Sequence, residues 1–562
     1  MESLERKARA LSHDFLENEK QYRLGFVEAE HSNPKTKALG ETFVRNTKDG
    51  LKMLFDVDRD LIDLFEETLF SNSFDSFYAD VLSAIKDKKR IFISGCGASG
   101  RLSMRLEASF RQAIKKISEF ESEALNYENS VLEIMTGGDY AIIRSVESFE
   151  DYTELGCAQA RDIGVSSGDV LVGVTATGET TSILGTAKQA LMNGAKVWMV
   201  VCSDPDKIIG KLKRVDDVFC HENCSSIYMR CGGMAVTGST RMQSSSIEQA
   251  VIGAALEMAL CDLFGEEMRY EDKKRALVKG FRECIDLLES EKSLEAMVAQ
   301  IEAEAELYSR GGHVTYFADE YLLDVLADTT ERSPTFTTPP FRPQKNKSET
   351  LSWAFVKNPL LDTVSAWSAC FERCPRCIDK SFEEYKAIGI KDEDIRKIPR
   401  ISLDALYEFE IGNEPDPERE GDGSLATWVG YGDDMPAEFY SQAEKYASST
   451  VWTIGDSDST TVKTHMKMFE HLTMKMMLNA VSTGTMAKMG RVRGNYMVHL
   501  NISNKKLVDR ATRIISDLCA VDYDTANYEL FYSKLLLESQ GIERSTTIET
   551  IDRLGQKCDG IL

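Results

Sequence analysis

The run Arg90-Ile-Phe-Ile-Ser-Gly-Cys-Gly-Ala-Ser-Gly-Arg101 joins a strand-like apolar stretch to a glycine turn and the start of an amphipathic helix. Such a turn aims bare backbone N–H groups and the positive end of a helix at one point, which suits an anion and most often a phosphate. Gly97 and Gly100 let the backbone come close, and Ser99 adds a hydroxyl to the same place. The pattern recurs at Val170-Leu-Val-Gly-Val-Thr-Ala-Thr177-Gly178-Glu-Thr180-Thr181 and, less completely, at Val236-Thr-Gly-Ser239-Thr-Arg-Met242. A phosphate monoester carries about two charges and three acceptor oxygens. Converging hydroxyls and amides can satisfy it without a lysine.

Three plainer readings compete. Gly95-x-Gly97-x-x-Gly100 fits a dinucleotide fingerprint, which also requires a second strand ending in an acid about 20 residues on. Lys115-Lys-Ile-Ser-Glu-Phe-Glu-Ser-Glu-Ala124 is polar and helical instead. A P-loop requires Lys-Ser/Thr after the glycines, and none follows. Each Ser- or Thr-rich loop taken alone is as well explained as a helix N-cap. Three in one region argue for a shared ligand.

The elements that must position these loops read as α/β. Residues 1 to 85 show helical spacing. Short apolar runs then appear at Ile91–Ser94, Val131–Met135, Asp169–Thr175 and Lys196–Cys202, separated by helical patterns, and predict a parallel sheet covered on both faces. A long helix is predicted from Ser244 to Leu263. A second series follows, His313–Ala318, Leu351–Val356, Leu403–Ile411, Ala426–Val429 and Val451–Ile454, and closes on another long helix from Met466 to Met489. Five of the twelve prolines lie between Pro334 and Pro359, which predicts an irregular loop there. The expected organisation is an N-terminal helical region (1–85), two similar α/β domains (86–292 and 293–500) and a C-terminal helical cap (501–562).

The formal charge of −24 over 562 residues argues against nucleic acid, whose binding rests on a basic surface. It also requires any phosphate pocket to be locally positive or lined by amides. No apolar run reaches 18 residues and no signal-peptide pattern opens the chain, so a soluble cytoplasmic protein with no membrane partner is expected. Thirteen irregularly spaced cysteines read as reduced thiols.

Gly95-Cys-Gly-Ala-Ser-Gly-Arg-Leu102, Gly137-Gly-Asp-Tyr-Ala141 with Val146-Glu-Ser-Phe-Glu150-Asp151, and Thr237-Gly-Ser-Thr-Arg-Met242 resemble one family. So do Leu478-Asn-Ala-Val-Ser-Thr-Gly-Thr-Met486, Gly490-Arg-Val-Arg-Gly-Asn495 and Ile502-Ser-Asn-Lys-Lys506-Leu507. It is the family of the glucokinase regulatory protein and the N-acetylmuramic acid 6-phosphate etherases, built on sugar isomerase (SIS) domains. The resemblance implies two tandem SIS domains of flavodoxin-like, parallel-sheet αβα form, the layout of the regulatory proteins. It implies a hexose phosphate or N-acetylhexosamine phosphate ligand in the first domain, no cofactor or metal, and a sugar kinase as a partner. It assigns the phosphate and sugar cradle to Gly97, Ser99, Gly100, Thr177, Gly178, Thr180 and Ser239. Glu150 matches the glutamate that touches the sugar, and Lys506 the lysine supplied by the C-terminal region.

One departure decides between regulator and enzyme. The etherases carry Asp-Ala-Ser-Glu on the helix after the first loop, its Glu serving as the acid. Eliminating the lactyl ether takes a base for the C2 proton, here Glu150, and an acid for the leaving oxygen. This chain has Ser109 at that position, or Phe110 after a one-residue slip, and neither donates the proton. Glu107, three residues before Phe110, is the one substitute. The favoured reading is therefore a sugar-phosphate-binding regulatory protein, with the etherase as its alternative. A sugar-phosphate isomerase using His465 or His471 is a third. Cys374-Pro-Arg-Cys377 lacks a second pair at zinc-finger spacing, and Cys220-His221-x-x-Cys224 with Cys231 is unusually spaced, so both read as ordinary cysteines.

Overall fold

The computed structural model describes residues 2–559 except 147–148, 266–267, 397, 433–434, 457–458, 460 and 503. Glu147, Ser148 and Ser503, which belong to motifs quoted above, lie outside the described residues.

Five strands, β1 (Ile91–Gly95), β2 (Val131–Met135), β3 (Val170–Val174), β4 (Lys196–Val201) and β5 (Cys224–Tyr228), form the first sheet in the order β2-β1-β3-β4-β5. Every pairing is parallel. Each residue of β1, β2 and β3 is buried, as a sheet covered on both faces requires. This is the flavodoxin-like doubly wound order, whose ligands sit beyond the carboxyl ends of the first and third strands, where the winding reverses. The loops after β1 and β3 are the two that carry Ser99 and Thr177.

The second sheet contains β6 (His313–Phe317), β7 (Ala354–Lys357), β8 (Gly421–Tyr431) and β9 (Tyr446–Ile454) in the order β7-β6-β8-β9, again all parallel. It repeats the first winding without a fifth strand. Its reversal point differs in chemistry. β6 leads into Ala318-Asp319-Glu320-Tyr321, where Asp319 accepts from Asn358 and Glu320 pairs with Lys467. Its exit carries two carboxylates where that of β1 carries glycine and serine.

Helices Gln243–Phe264 and Met468–Lys488 run through the shared core. Every residue from Gln243 to Leu260 is buried, and all but Lys475 from Met468 to Ala487. A helix buried all round is mostly small or apolar, and the first meets that demand with Ala and Ser, the second with Met, while buried Glu248, Glu257 and His471 take polar partners. Helices Lys505–Cys519, Tyr523–Gln540 and Thr546–Asp559 form a separate C-terminal layer, with its own apolar cluster that includes Ala8 and Phe15 of the N-terminal helix.

Three expectations need correction. Leu403–Tyr407 is a short helix rather than part of a strand, because the Ser402 side chain accepts from Ala405 N and closes a helical turn. β5 was not expected, since Ser225 and Ser226 break its apolar run, and its edge position tolerates them. The proline-rich stretch is not all loop: Pro334 lies in the last turn of helix Leu322–Phe336, and β7 begins at Ala354, three residues later than expected.

Candidate functional site

Beyond the carboxyl ends of β1 and β3 lies a hollow of about 170 Å³. Gly97, Ser99, Glu150, Thr177, Thr180, Ser239 and Lys506, seven of the nine expected site residues, line it. Gly100 and Gly178 do not. Gly100 is a packing glycine: a Cβ there would stand 1.9 Å from Met135 Sδ and 2.9 Å from Gly95 O. Gly178, at φ +75°, makes the turn between Thr177 and Thr180 and faces Ile208.

The helix starts around the hollow are not closed by their own side chains. Helix Ala98–Ser118 begins after Gly97, which has φ +55° and no side chain to cap with. Helix Thr181–Met192 begins after Thr180, whose hydroxyl meets Thr175 Oγ1 at 2.8 Å instead of capping. Helix Gln243–Phe264 begins after Met242, likewise without a side-chain cap. Elsewhere Asn46, Ser71, Ser290, Asp362 and Asp522 cap their helices, while others such as those after Arg269 and Tyr321 are also uncapped, so what sets these three apart is that they meet on one hollow. The reading of these loops as caps therefore fails. Ser182 N is taken by Glu150 O and Ser245 N by Thr240 O, while the amides of Ala98, Ser99 and Gly100 have no intrahelical acceptor and are the ones an anion could use.

Glu150 is held by its own backbone: its carbonyl accepts from Ser182 N at 3.0 Å, tying it to the start of the second helix. Its carboxylate lies 3.5 Å from Lys506 Nζ, and Glu179 lies 3.4 Å from the same atom. Burial works against the Lys506 charge, but Glu150 and Glu179 outweigh it and raise the ammonium's pKa above the usual lysine range. Glu179 is buried too, yet Lys506 and Arg214 hold it below the ordinary carboxylate range. Lys506 thus reaches the hollow from the C-terminal layer as a firmly held cation.

Ser99 Oγ lies 3.1 Å from Glu248 Oε2. Burial, and then Cys231, push the Glu248 carboxyl well above its usual range. Ser99 donates its hydroxyl hydrogen to Glu248, which orients the hydroxyl oxygen at the rim of the hollow. Cys96, also at the rim, is pushed up to about 12 by burial and by Glu150, so it is an inert thiol.

Several participants escaped the sequence reading. Arg510, one turn after Lys506, lines the hollow and is bound to the buried Glu30; the i, i+4 spacing was the available signal. It lies so near Gly238 that a Cβ there would be 2.6 Å from Arg510 Nε. Arg241 reaches across to Asp328, Ser482 and Thr483. Glu331 at the rim pairs with Arg101. No local pattern announces these contacts.

Packing gives each acid candidate on the first helix a place. Phe110 is buried in the core, and Ser109 accepts from Arg105 Nε at 3.1 Å. Glu107 does not line the hollow. It is buried among Arg111, Arg373 and Arg376 and accepts from Glu133 N. Against the penalty of burial, those arginines hold it below the usual carboxylate range. Glu107 is therefore no proton donor. His465 and His471 do not line the hollow either; they pair with Glu257 and Asp324.

A larger cavity, about 350 Å³, adjoins the hollow near Ser145 and Pro334. Tyr308, Phe341 and Trp353 line it, and no uncapped helix start faces it.

Comparison with known proteins agrees with the motif resemblance. Residues 76–191 match the family model of the glucokinase regulatory protein N-terminal SIS domain. N-acetylmuramic acid 6-phosphate etherase 1 of Bacillus licheniformis is 27% identical over 229 residues, 41% of this chain and 67% of that protein. N-acetylmuramic acid 6-phosphate etherase of Aliivibrio fischeri is 32% identical over 178 residues, 31% of this chain and 52% of that protein. The chain thus spans roughly half to two thirds of the length of these curated relatives. Among solved structures, the C-terminal domain of glucosamine-fructose-6-phosphate aminotransferase from Francisella tularensis aligns with TM-score 0.41 and 9% identity, over 76% of this chain and 93% of that one. Residues 76–191 thus resemble an SIS domain, in agreement with the parallel α/β sheet that they help to build. Among the described residues no helix is long and apolar enough to cross a membrane.

Proposed function

We propose that the chain binds a hexose phosphate or an N-acetylhexosamine phosphate in the hollow beyond β1 and β3, as a regulatory protein that holds the sugar without turning it over. The observation that carries this is the meeting of uncapped helix starts, a fixed carboxylate (Glu150) and a cation from the C-terminal layer (Lys506) on one cavity. The phosphate goes to the amides and hydroxyls of Gly97–Ser99 and Thr177–Thr180. Glu150 accepts from sugar hydroxyls, and Lys506 balances its charge. Binding without turnover is supported by how the lining carboxylates are paired: Glu150 with Lys506, Glu331 with Arg101. Both are engaged by cations, and Glu107, on the helix where an etherase carries its acid, does not line the hollow.

The second reading is an N-acetylmuramic acid 6-phosphate lyase with Glu150 as base. The names of the curated relatives favour it more directly than they favour a regulator. A sugar kinase as partner, a cytoplasmic location, and the division into 1–85, 86–292, 293–500 and 501–562 belong to the regulatory reading.

The test is a thermal-shift panel of fructose 6-phosphate, fructose 1-phosphate, glucosamine 6-phosphate and N-acetylmuramic acid 6-phosphate, followed by product analysis. A ligand at 100 times its Kd adds about 2.7 kcal/mol of stability. Stabilisation without product supports the regulator. Lactate release that is lost in Glu150→Ala establishes the lyase, and no stabilisation by any of the four refutes both.

A further inference from the structure

Far from the hollow, a second group of side chains meets at the junction of the two long helices. Glu257 and Cys261 stand one turn apart on helix Gln243–Phe264, and His465 lies in the segment that leads into Met468–Lys488. One atom from each converges: His465 Nδ1 is 2.8 Å from Glu257 Oε1 and 3.9 Å from Cys261 Sγ, and Sγ is 3.8 Å from Oε1. We propose that Glu257, Cys261 and His465 bind one zinc-class divalent cation, which joins the helix of the first α/β unit to that of the second.

The geometry can be checked against zinc itself. Bonds of about 2.3 Å to sulfur and about 2.0–2.1 Å to nitrogen or oxygen, at tetrahedral angles, put sulfur about 3.6 Å from the other two atoms. The nitrogen and oxygen are then about 3.3 Å apart. The three observed separations each come within about half an ångström of those values, which small side-chain rotations can supply. The ligand types agree as well: one thiolate, one imidazole and one carboxylate form a mixed S, N, O set that suits zinc and not calcium or magnesium. A carboxylate and a thiolate together neutralise a divalent cation.

The carboxylate is also oriented in advance. Glu257 Oε1 accepts from His465 N at 2.7 Å, and Oε2 from Met466 N at 3.0 Å. Such outer hydrogen bonds fix a ligating group and are part of what builds a metal site. The Glu257 side chain is only 4% exposed, while that of His465 is 28% exposed. The cluster is therefore anchored on one side and open on the other, with room for a water as fourth ligand. None of the three residues lines the hollow, so the ion would tie the two helices together without touching the sugar.

The experiment strips the full chain with a chelator and titrates it with Zn²⁺ or Co²⁺ alone. The expected results are one tightly held ion per chain, a cobalt–thiolate charge-transfer band, and a rise in Tm with Zn²⁺. Cys261→Ser and His465→Gln should each weaken binding by at least about tenfold, with the band lost in Cys261→Ser. Cys374→Ser, which alters an exposed thiol elsewhere, should leave the band unchanged. Absence of both the band and the Tm rise in the unmutated chain overturns the proposal. So does a band that survives Cys261→Ser. If Cys261→Ser fails to fold, His465→Gln decides: unchanged affinity in it refutes the site.

Discussion

Glu150→Gln separates the two jobs given to this residue, accepting from the sugar and balancing Lys506. The pair stands 3.5 Å apart, with side-chain exposures of 17% and 24%. At an effective dielectric of about 20, a contact of that length corresponds to about 5 kcal/mol of gross attraction. Water at the rim and desolvation offset most of it, leaving on the order of 1–2 kcal/mol. Neutralising Glu150 releases that share of the Lys506 charge to any incoming phosphate, so inorganic phosphate should bind about 5- to 30-fold more tightly, the same energy expressed as a ratio. A sugar phosphate gains the same amount but exchanges a charge-assisted hydrogen bond for a neutral one, a loss of about 1–1.5 kcal/mol. The ratio of the two affinities isolates the sugar contact, because the lysine's release enters both. Calorimetric titration with fructose 6-phosphate, glucosamine 6-phosphate and inorganic phosphate should show the preference for sugar over bare phosphate falling roughly 5- to 12-fold. If both affinities move by the same factor, Glu150 does not touch the sugar and the reasoning fails.

Glu30→Gln leaves Arg510 and Arg513 facing a neutral group in a buried position and should cost about 3–5 kcal/mol in urea unfolding at neutral pH. Although burial opposes it, Arg510 and Arg513 hold the Glu30 pKa far down, so its stabilisation is present above the ordinary carboxylate range and lost as pH falls toward the folded value. The gap between the unmutated chain and Glu30→Gln should therefore narrow below about pH 4.5; a gap constant with pH contradicts the pairing. Glu248→Gln should behave in the opposite sense. The carboxyl is raised, so the folded chain loses stability relative to this variant as pH climbs above the ordinary range, and at pH 7 the variant should be at least as stable. A large loss of stability at pH 7 would mean that Glu248 is ionised. Gly100→Ala drives a methyl onto Met135 and the Gly95 carbonyl; a cost of about 1–3 kcal/mol is expected by thermal unfolding, and a neutral outcome would refute the packing role.

The part of the hollow built by the two strand-end loops was legible because its information is local. Gly97, Ser99, Thr177 and Thr180 lie within a few residues of strand ends, and the doubly wound order brings the ends of β1 and β3 together without further instruction. Glu150 and Lys506 came from the resemblance, and nothing in their own surroundings marks them. The rest was hidden because it depends on distant segments. Glu30 holds Arg510 across 480 residues, and Arg241 meets Ser482 across 241. Gly100 was given to the ligand, although its contact with Met135 shows that a small residue there serves strand–helix packing. The strand expected over Leu403–Ile411 failed because a cap at Ser402 outweighs a short apolar run. Glu107 looked able to act as an acid on helix spacing alone; what fixes its charge is Arg373 and Arg376, supplied by a loop some 270 residues away.

The account rests on a phosphate being held by helix-start amides at the reversal point of the first sheet. Crystals grown with fructose 6-phosphate or N-acetylmuramic acid 6-phosphate measure this directly. The phosphorus should lie within hydrogen-bond reach of the Gly97–Ser99 and Thr177–Thr180 backbone, with the sugar ring toward Glu150. A ligand seated instead in the cavity beside Trp353, or at the acidic exit of β6, would contradict it.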